Sequence, residues 1–187
     1  MLAYERVKQV VLETNDPTER KIRFLALLTS SLPKERPKPV LTGGSAIEIY
    51  LDGILRTGDI DVVYNVAGLK KILKAWGFDL SSALRSYVNE ELTLAVDVVG
   101  EQLKGSSDKL TTIATEYGPV VVIGIEDLIL KRLASAKFWK VATDMEQSYL
   151  LAKSQENKID WEYMEAQAKK DDTSDYLKKL RASLGRK

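Results

Sequence analysis

Residues 40–63 restrict the fold of this chain more than any other stretch. The short apolar run Val40-Leu41-Thr42 meets a glycine pair, Gly43-Gly44, then Ser45, and Ala46-Ile47-Glu48-Ile49-Tyr50-Leu51 continues as a helix ending near Gly53. Without a Cβ at the two glycines, the backbone can turn sharply and be approached closely. The order strand, glycine turn, helix aims the free N–H groups of the turn and the positive helix end at an anion, with the Ser45 hydroxyl placed to donate to a phosphate oxygen. Asp59-Ile60-Asp61-Val62-Val63 follows. Strand side chains alternate faces with a period of two, so Asp59 and Asp61 share one face while Ile60 and Val62 point into the core. Carboxylates that close repel unless a cation sits between them. Hard oxygen donors suit Mg²⁺ or Mn²⁺, and Mg²⁺ characteristically binds through a few carboxylates together with substrate phosphates. A nucleoside triphosphate is the expected guest.

A third acid, Asp97, stands alone in the apolar run Leu94-Ala95-Val96-Asp97-Val98-Val99. A strand this apolar is expected to be covered on at least one face, where an unpaired carboxylate is costly to desolvate. A metal or a partner must compensate it.

Taken together, Gly43-Gly44-Ser45, Asp59-Ile60-Asp61 and Asp97 resemble the DNA polymerase β-like nucleotidyltransferase superfamily over roughly residues 38–137. The chain is most similar to its small stand-alone bacterial and archaeal members, related to minimal nucleotidyltransferases, aminoglycoside nucleotidyltransferases and the nucleotidylating toxins of toxin–antitoxin pairs. The resemblance implies that the Gly43-Gly44-Ser45 turn holds the triphosphate of ATP or another NTP. It also implies that Asp59, Asp61 and Asp97 hold two divalent ions, with Asp97 serving as general base. The reaction implied is transfer of a nucleoside monophosphate to an acceptor hydroxyl with release of pyrophosphate. A tRNA end, a protein hydroxyl and an aminated sugar all stay open as acceptors. A lysine from the helix after the sheet is implied to reach the phosphates, which points to Lys131 or Lys137; a solvated helix face is the other reading of each. Arg56 and Thr57, just ahead of the acid pair, either steer phosphates or form an ordinary polar loop. Two other readings are a nucleotide-binding module without an acceptor and a toxin–antitoxin interaction protein whose helical carboxyl-terminal third grips a helical partner.

The absences narrow the chemistry. The chain has no cysteine and no histidine. Zinc sites of the usual ligand types, cysteine nucleophiles, Ser-His-Asp triads and histidine bases are therefore excluded, and acid, base and metal chemistry must run on carboxylates. A net charge of +1 gives no global reason for a nucleic-acid coat. There is no apolar run long enough to span a membrane and no export-like or transit-like start, so a cytoplasmic protein without membrane association is expected.

The remaining pattern predicts an α+β (α/β) fold, with helices packed on a small mixed sheet in a single domain. N-terminal helices are predicted over residues 1–37, a catalytic core over 38–124 and a helical region over 125–187. Asp16 followed by Pro17 and Glu19 signals a helix start, and Asp160 and Thr173 are expected caps for the last two helices. Strands are expected at residues 59–64, 86–89 and 92–99, a closing hairpin at 111–123, and a helix from Ile125 through Lys137. Arg186 and Lys187 read as a basic end.

Overall fold

Short polar side chains set several helix starts in this chain. In the computed structural model, which describes residues 2–81 and 86–185, Arg186 and Lys187 lie outside the described part. Helix α1 (Tyr4–Leu12) begins at Ala3 without a side-chain cap. At α2 (Pro17–Ser31) the Asp16 carboxylate accepts from the Glu19 amide at 2.8 Å, as the Asp-Pro-x-Glu spacing predicts. Helix α3 (Gly43–Tyr50) begins at the glycine pair itself, and α4 (Val66–Ala75) is capped by Asn65, which accepts from the Gly68 amide at 3.0 Å. The carboxyl-terminal helices are α5 (Ile125–Ala134), α6 (Ala142–Ser154), α7 (Trp161–Lys170) and α8 (Ser174–Leu184). Asp160 caps α7 by accepting from the Tyr163 amide at 3.0 Å. Thr173 precedes α8 without capping it, because its hydroxyl turns back to the Ala168 carbonyl at 3.5 Å.

The strands are β1 (Val40–Leu41), β2 (Ile60–Val63), β3 (Asp79–Leu80), β4 (Ser86–Asn89), β5 (Leu94–Gly100), β6 (Thr111–Thr115) and β7 (Gly118–Val122). They form one mixed sheet in the order β3-β4-β5-β2-β1-β7-β6. β2 runs parallel to β5, and β1 parallel to β7, while the other neighbours are antiparallel. One register matters most: Asp61 of β2 stands directly opposite Asp97 of β5. A period-two strand then puts Ile60, Val62 and Val96 on the opposite face, and all three are fully buried.

Three elements differ from the sequence expectation in ways that bear on the site. The acid-bearing strand, expected at residues 59–64, is β2 (Ile60–Val63), so Asp59 stands in the bend just before it and Tyr64 just after it. β5 starts at Leu94 rather than residue 92, because the turn from β4 runs through Thr93 in a left-handed conformation, φ 55°. The helix expected to run straight from Ile125 through Lys137 ends at Ala134, continues as a π-helical turn (Ser135–Trp139), and stops at Lys140, φ 58°. Apolar burial along it ceases at Ala136, and Phe138 and Trp139 are exposed.

Packing places these parts around the acid-bearing strands. α1 lies on α2, α2 lies on β7, and α3 packs on β2 and against α5 and α6. α5 in turn contacts α6, α7 and α8, so the carboxyl-terminal helices are docked on the helix that follows the sheet. Phe24 of α2 meets Trp76 edge-on at 5.9 Å between ring centres and Phe78 at 5.3 Å. The buried side chains form one hydrophobic cluster that reaches from Val7 to Leu180. Among the described residues no helix is long and apolar enough to cross a membrane.

Candidate functional site

The site is built where β2 and the bend before it, β5 and the first turn of α3 meet. Asp59, Asp61 and Asp97 each offer a carboxylate oxygen, and these oxygens lie within 4.8 Å of one another. All three side chains are half-buried. Asp97 Oδ1 is cut off from solvent and has no hydrogen-bond partner among the described residues. An orphaned carboxyl oxygen in such a place is expensive unless a cation or a donor compensates it. The Asp61 carboxyl is pushed above the ordinary carboxylate range, first by burial and next by the negative charges of Asp59 and Asp97, against which the Gly44 amide and Arg132 pull. Three half-buried acids, all-oxygen donors and one unsatisfied lone pair fit a hard divalent cation such as Mg²⁺ or Mn²⁺.

The glycine turn serves the acids directly. The Gly44 amide donates to Asp61 Oδ2 at 3.1 Å, and the Asp61 amide donates to Ser45 Oγ at 3.1 Å. Ser45 is buried, and its oxygen, by accepting from the Asp61 amide, ties the acid strand to the helix start. Gly43 has φ +62°, and a Cβ there would lie 2.6 Å from Asp61 Cγ. Only glycine lets the carboxylate sit this close to the backbone.

A cavity of about 340 Å³ opens beside Asp61, lined by Thr42, Gly43, Gln102, Lys104, Lys131 and Arg132, with Val63, Val99 and Leu128 as apolar wall. Arg132 also pairs with the buried Asp144 at 3.2 Å. The Lys131 ammonium is held below its ordinary value, chiefly by desolvation, with the positive charges of Lys104 and Arg132 adding to the effect against Asp127. A bound anion would relieve that penalty. A second cavity, of about 620 Å³, shares Lys104 and Lys131 with the first and is walled by Phe138 and Tyr163.

Of the residues singled out in the sequence, Gly43, Gly44, Asp59, Asp61 and Asp97 meet at the site, and Lys131 lines its cavity. The others are engaged elsewhere. Arg56 is exposed and faces Asp16 at 3.6 Å. Thr57 is tied to Lys21 and Glu48 beneath the loop. Lys137 binds the Asp172 carbonyl and the Asp175 carboxylate, fastening the π-helical turn to the start of α8, and does not line the cavity of Asp61. Lys104 and Arg132 join the cavity through the fold, with no local sequence pattern that marks them. Compared with protein-family models, with curated proteins and with solved structures, the chain matches none.

Proposed function

We propose that this protein is a divalent-cation-dependent nucleotidyltransferase of the DNA polymerase β-like kind. The observation that carries the reading is the convergence of Asp59, Asp61 and Asp97 within 4.8 Å, with one Asp97 oxygen unpartnered among the described residues, beside a cavity lined by Lys104, Lys131 and Arg132. That combination suits a ligand that is both metal-bound and polyanionic, as an NTP is.

Asp59, Asp61 and Asp97 would hold the cation. When bound, Mg²⁺ or Mn²⁺ neutralises charge on the triphosphate and the leaving pyrophosphate and makes an acceptor hydroxyl more acidic. Lys131 and Arg132 bind and orient the phosphates, while Val63, Val99 and Leu128 keep bulk water from part of the cavity wall. The hydroxyl oxygen of the acceptor forms a bond to the α-phosphorus, and the bond from that phosphorus to its bridging oxygen breaks, so pyrophosphate departs with the electron pair. The hydroxyl proton passes to the Asp97 carboxylate. The acceptor enters from the adjoining cavity, which shares Lys104 and Lys131.

The test is pyrophosphate release from each of the four NTPs, with cell RNA and lysate supplied as acceptors, in Mg²⁺ or Mn²⁺. Turnover is expected for the wild type and is expected to vanish in Asp61→Asn and Asp97→Asn proteins that retain the fold. Equal turnover in the variants would refute the assignment.

A further inference from the structure

Beneath the acid site lies a charged pair that the chemistry above leaves unused. Lys21 Nζ sits 2.6 Å from Glu48 Oε2, with their side chains 5% and 0% exposed. Glu48 Oε1 accepts from the Thr18 hydroxyl at 2.6 Å, and Oε2 accepts from the Thr57 amide at 3.0 Å. Lys21 donates to the Thr57 carbonyl at 2.6 Å as well as to its Oγ1 at 3.0 Å. The Thr57 hydroxyl has one proton to share between Glu48 Oε2 at 2.9 Å and the Asp59 carbonyl at 3.3 Å. Thr57 is thus gripped at its amide, its carbonyl and its hydroxyl by one buried pair.

Burying two charges gains little stability in itself, since an apolar pair of similar volume often serves as well or better. What this pair distinctively does is fix a place. Thr57 lies two residues before Asp59, and its methyl group is pressed onto the glycine turn, where a Cβ on Gly44 would come within 2.7 Å of Thr57 Cγ2. The Gly44 amide in turn holds Asp61. Two of the three site acids are therefore referenced to Thr57, one through the chain and one through the start of α3.

We propose that Lys21 and Glu48 are positioning residues: acting through Thr57, they lock residues 56–59 against α3 and hold the Asp59 carboxylate at the separation from Asp61 and Asp97 that a divalent cation needs. This assignment rests on the cation reading of the three acids and extends it to groups that touch neither cation nor substrate.

The experiment compares the wild type with the double variant Lys21→Met/Glu48→Leu, which replaces the pair by apolar side chains of similar size. Thr57→Val serves as the second variant, because it removes the hydroxyl and keeps the packing on Gly44. Mn²⁺ affinity is measured by electron paramagnetic resonance without nucleotide, and amide hydrogen exchange at residues 57–59 is measured on metal-free protein. Groups hydrogen-bonded directly to metal ligands typically tune metal affinity by about 10- to 100-fold, and a pair acting through one intervening residue is expected toward the lower end of that range. The double variant is expected to keep its far-UV circular dichroism, to lose Mn²⁺ affinity within that range and to exchange faster at residues 57–59. Thr57→Val is expected to lose several-fold in affinity. A folded double variant with wild-type Mn²⁺ affinity and unchanged exchange would overturn the positioning role alone. Should the double variant not fold, unchanged Mn²⁺ affinity in Thr57→Val would overturn it equally. A wild type that binds no Mn²⁺ would overturn both the cation reading and the positioning role that rests on it.

Discussion

Asp61→Asn is expected to make the metal-free protein more stable while destroying its metal response. The substitution keeps the shape of the side chain and removes one of three charges whose oxygens lie within 4.8 Å. Two unit charges about 5 Å apart repel by about 1 kcal/mol in water and by about 3.5 kcal/mol at an effective dielectric of 20. The acids are half-exposed, so screening pulls the relief toward the lower figure. An asparagine oxygen can still accept from the Gly44 amide, so the start of α3 keeps that bond. The net gain is about 1–2 kcal/mol at neutral pH and low salt, a rise of roughly 2–8 °C in the unfolding midpoint for a chain of this size.

The pH dependence has a definite sign. Because the folded-state pKa of Asp61 is raised, its contribution to stability is fully present below the unfolded value of about 4 and is lost as pH rises through the folded value. The advantage of the variant over the wild type should therefore be absent near pH 4 and grow above it. Adding Mn²⁺ should reverse the order, lifting the wild type by about 2.7 kcal/mol at a hundred times the dissociation constant and leaving the variant unmoved. Scanning calorimetry with chelator and with Mn²⁺ gives both comparisons. A variant less stable than the wild type in chelator, with a midpoint that still climbs in Mn²⁺, would refute the reasoning.

Other substitutions probe the parts separately. Glu48→Gln leaves the Lys21 ammonium buried without its counter-charge and should cost about 3–5 kcal/mol in denaturant titrations. Burial pushes the Glu48 carboxyl up, but hydrogen bonds from Lys21, Thr18 and Thr57 outweigh it and hold the group below its ordinary value. Its contribution is thus present above about pH 4.3 and lost as pH falls through the lowered value, so the gap between wild type and Glu48→Gln should close in acid. Gly43→Ala forces a left-handed backbone on a residue with a Cβ, for about 1–2 kcal/mol, and drives that Cβ into Asp61, so Mn²⁺ binding measured by paramagnetic resonance should be lost together with stability. Lys131→Gln should weaken NTP binding by about tenfold, the lower end for a charge-assisted hydrogen bond, while leaving Mn²⁺ affinity without nucleotide unchanged in calorimetric titrations.

What could be read in advance follows the range over which each signal acts. The pairing of Asp59 with Asp61 is visible because a spacing of two residues is local, although Asp59 stands in the bend just before β2. The placement of Asp97 opposite Asp61 depends on parallel pairing between strands joined by a long connection, which the apolar run around Asp97 suggests without specifying register. Ser45 shows the limit of a motif. A hydroxyl at a helix start can face a ligand or a neighbouring strand, and only the antiparallel pairing of β1 with β2 brings the Asp61 amide to it. Lys131 and Lys137 look alike in sequence, yet the π-helical turn carries Lys137 to Asp172 and Asp175. β3, two residues long and exposed, is too short to carry any period. Glu48 leaves a trace, a lone acid in an otherwise apolar helical run, but its partner in α2 is set by tertiary packing.

The most direct test of the three-aspartate site is anomalous diffraction at the manganese edge from crystals grown with Mn²⁺ and an NTP analogue. Manganese density is expected within bonding distance of the carboxylates of Asp59, Asp61 and Asp97, with the phosphates lying toward Lys131 and Arg132. Manganese found only at other acids, or none at this cluster while the protein is saturated, would contradict the account.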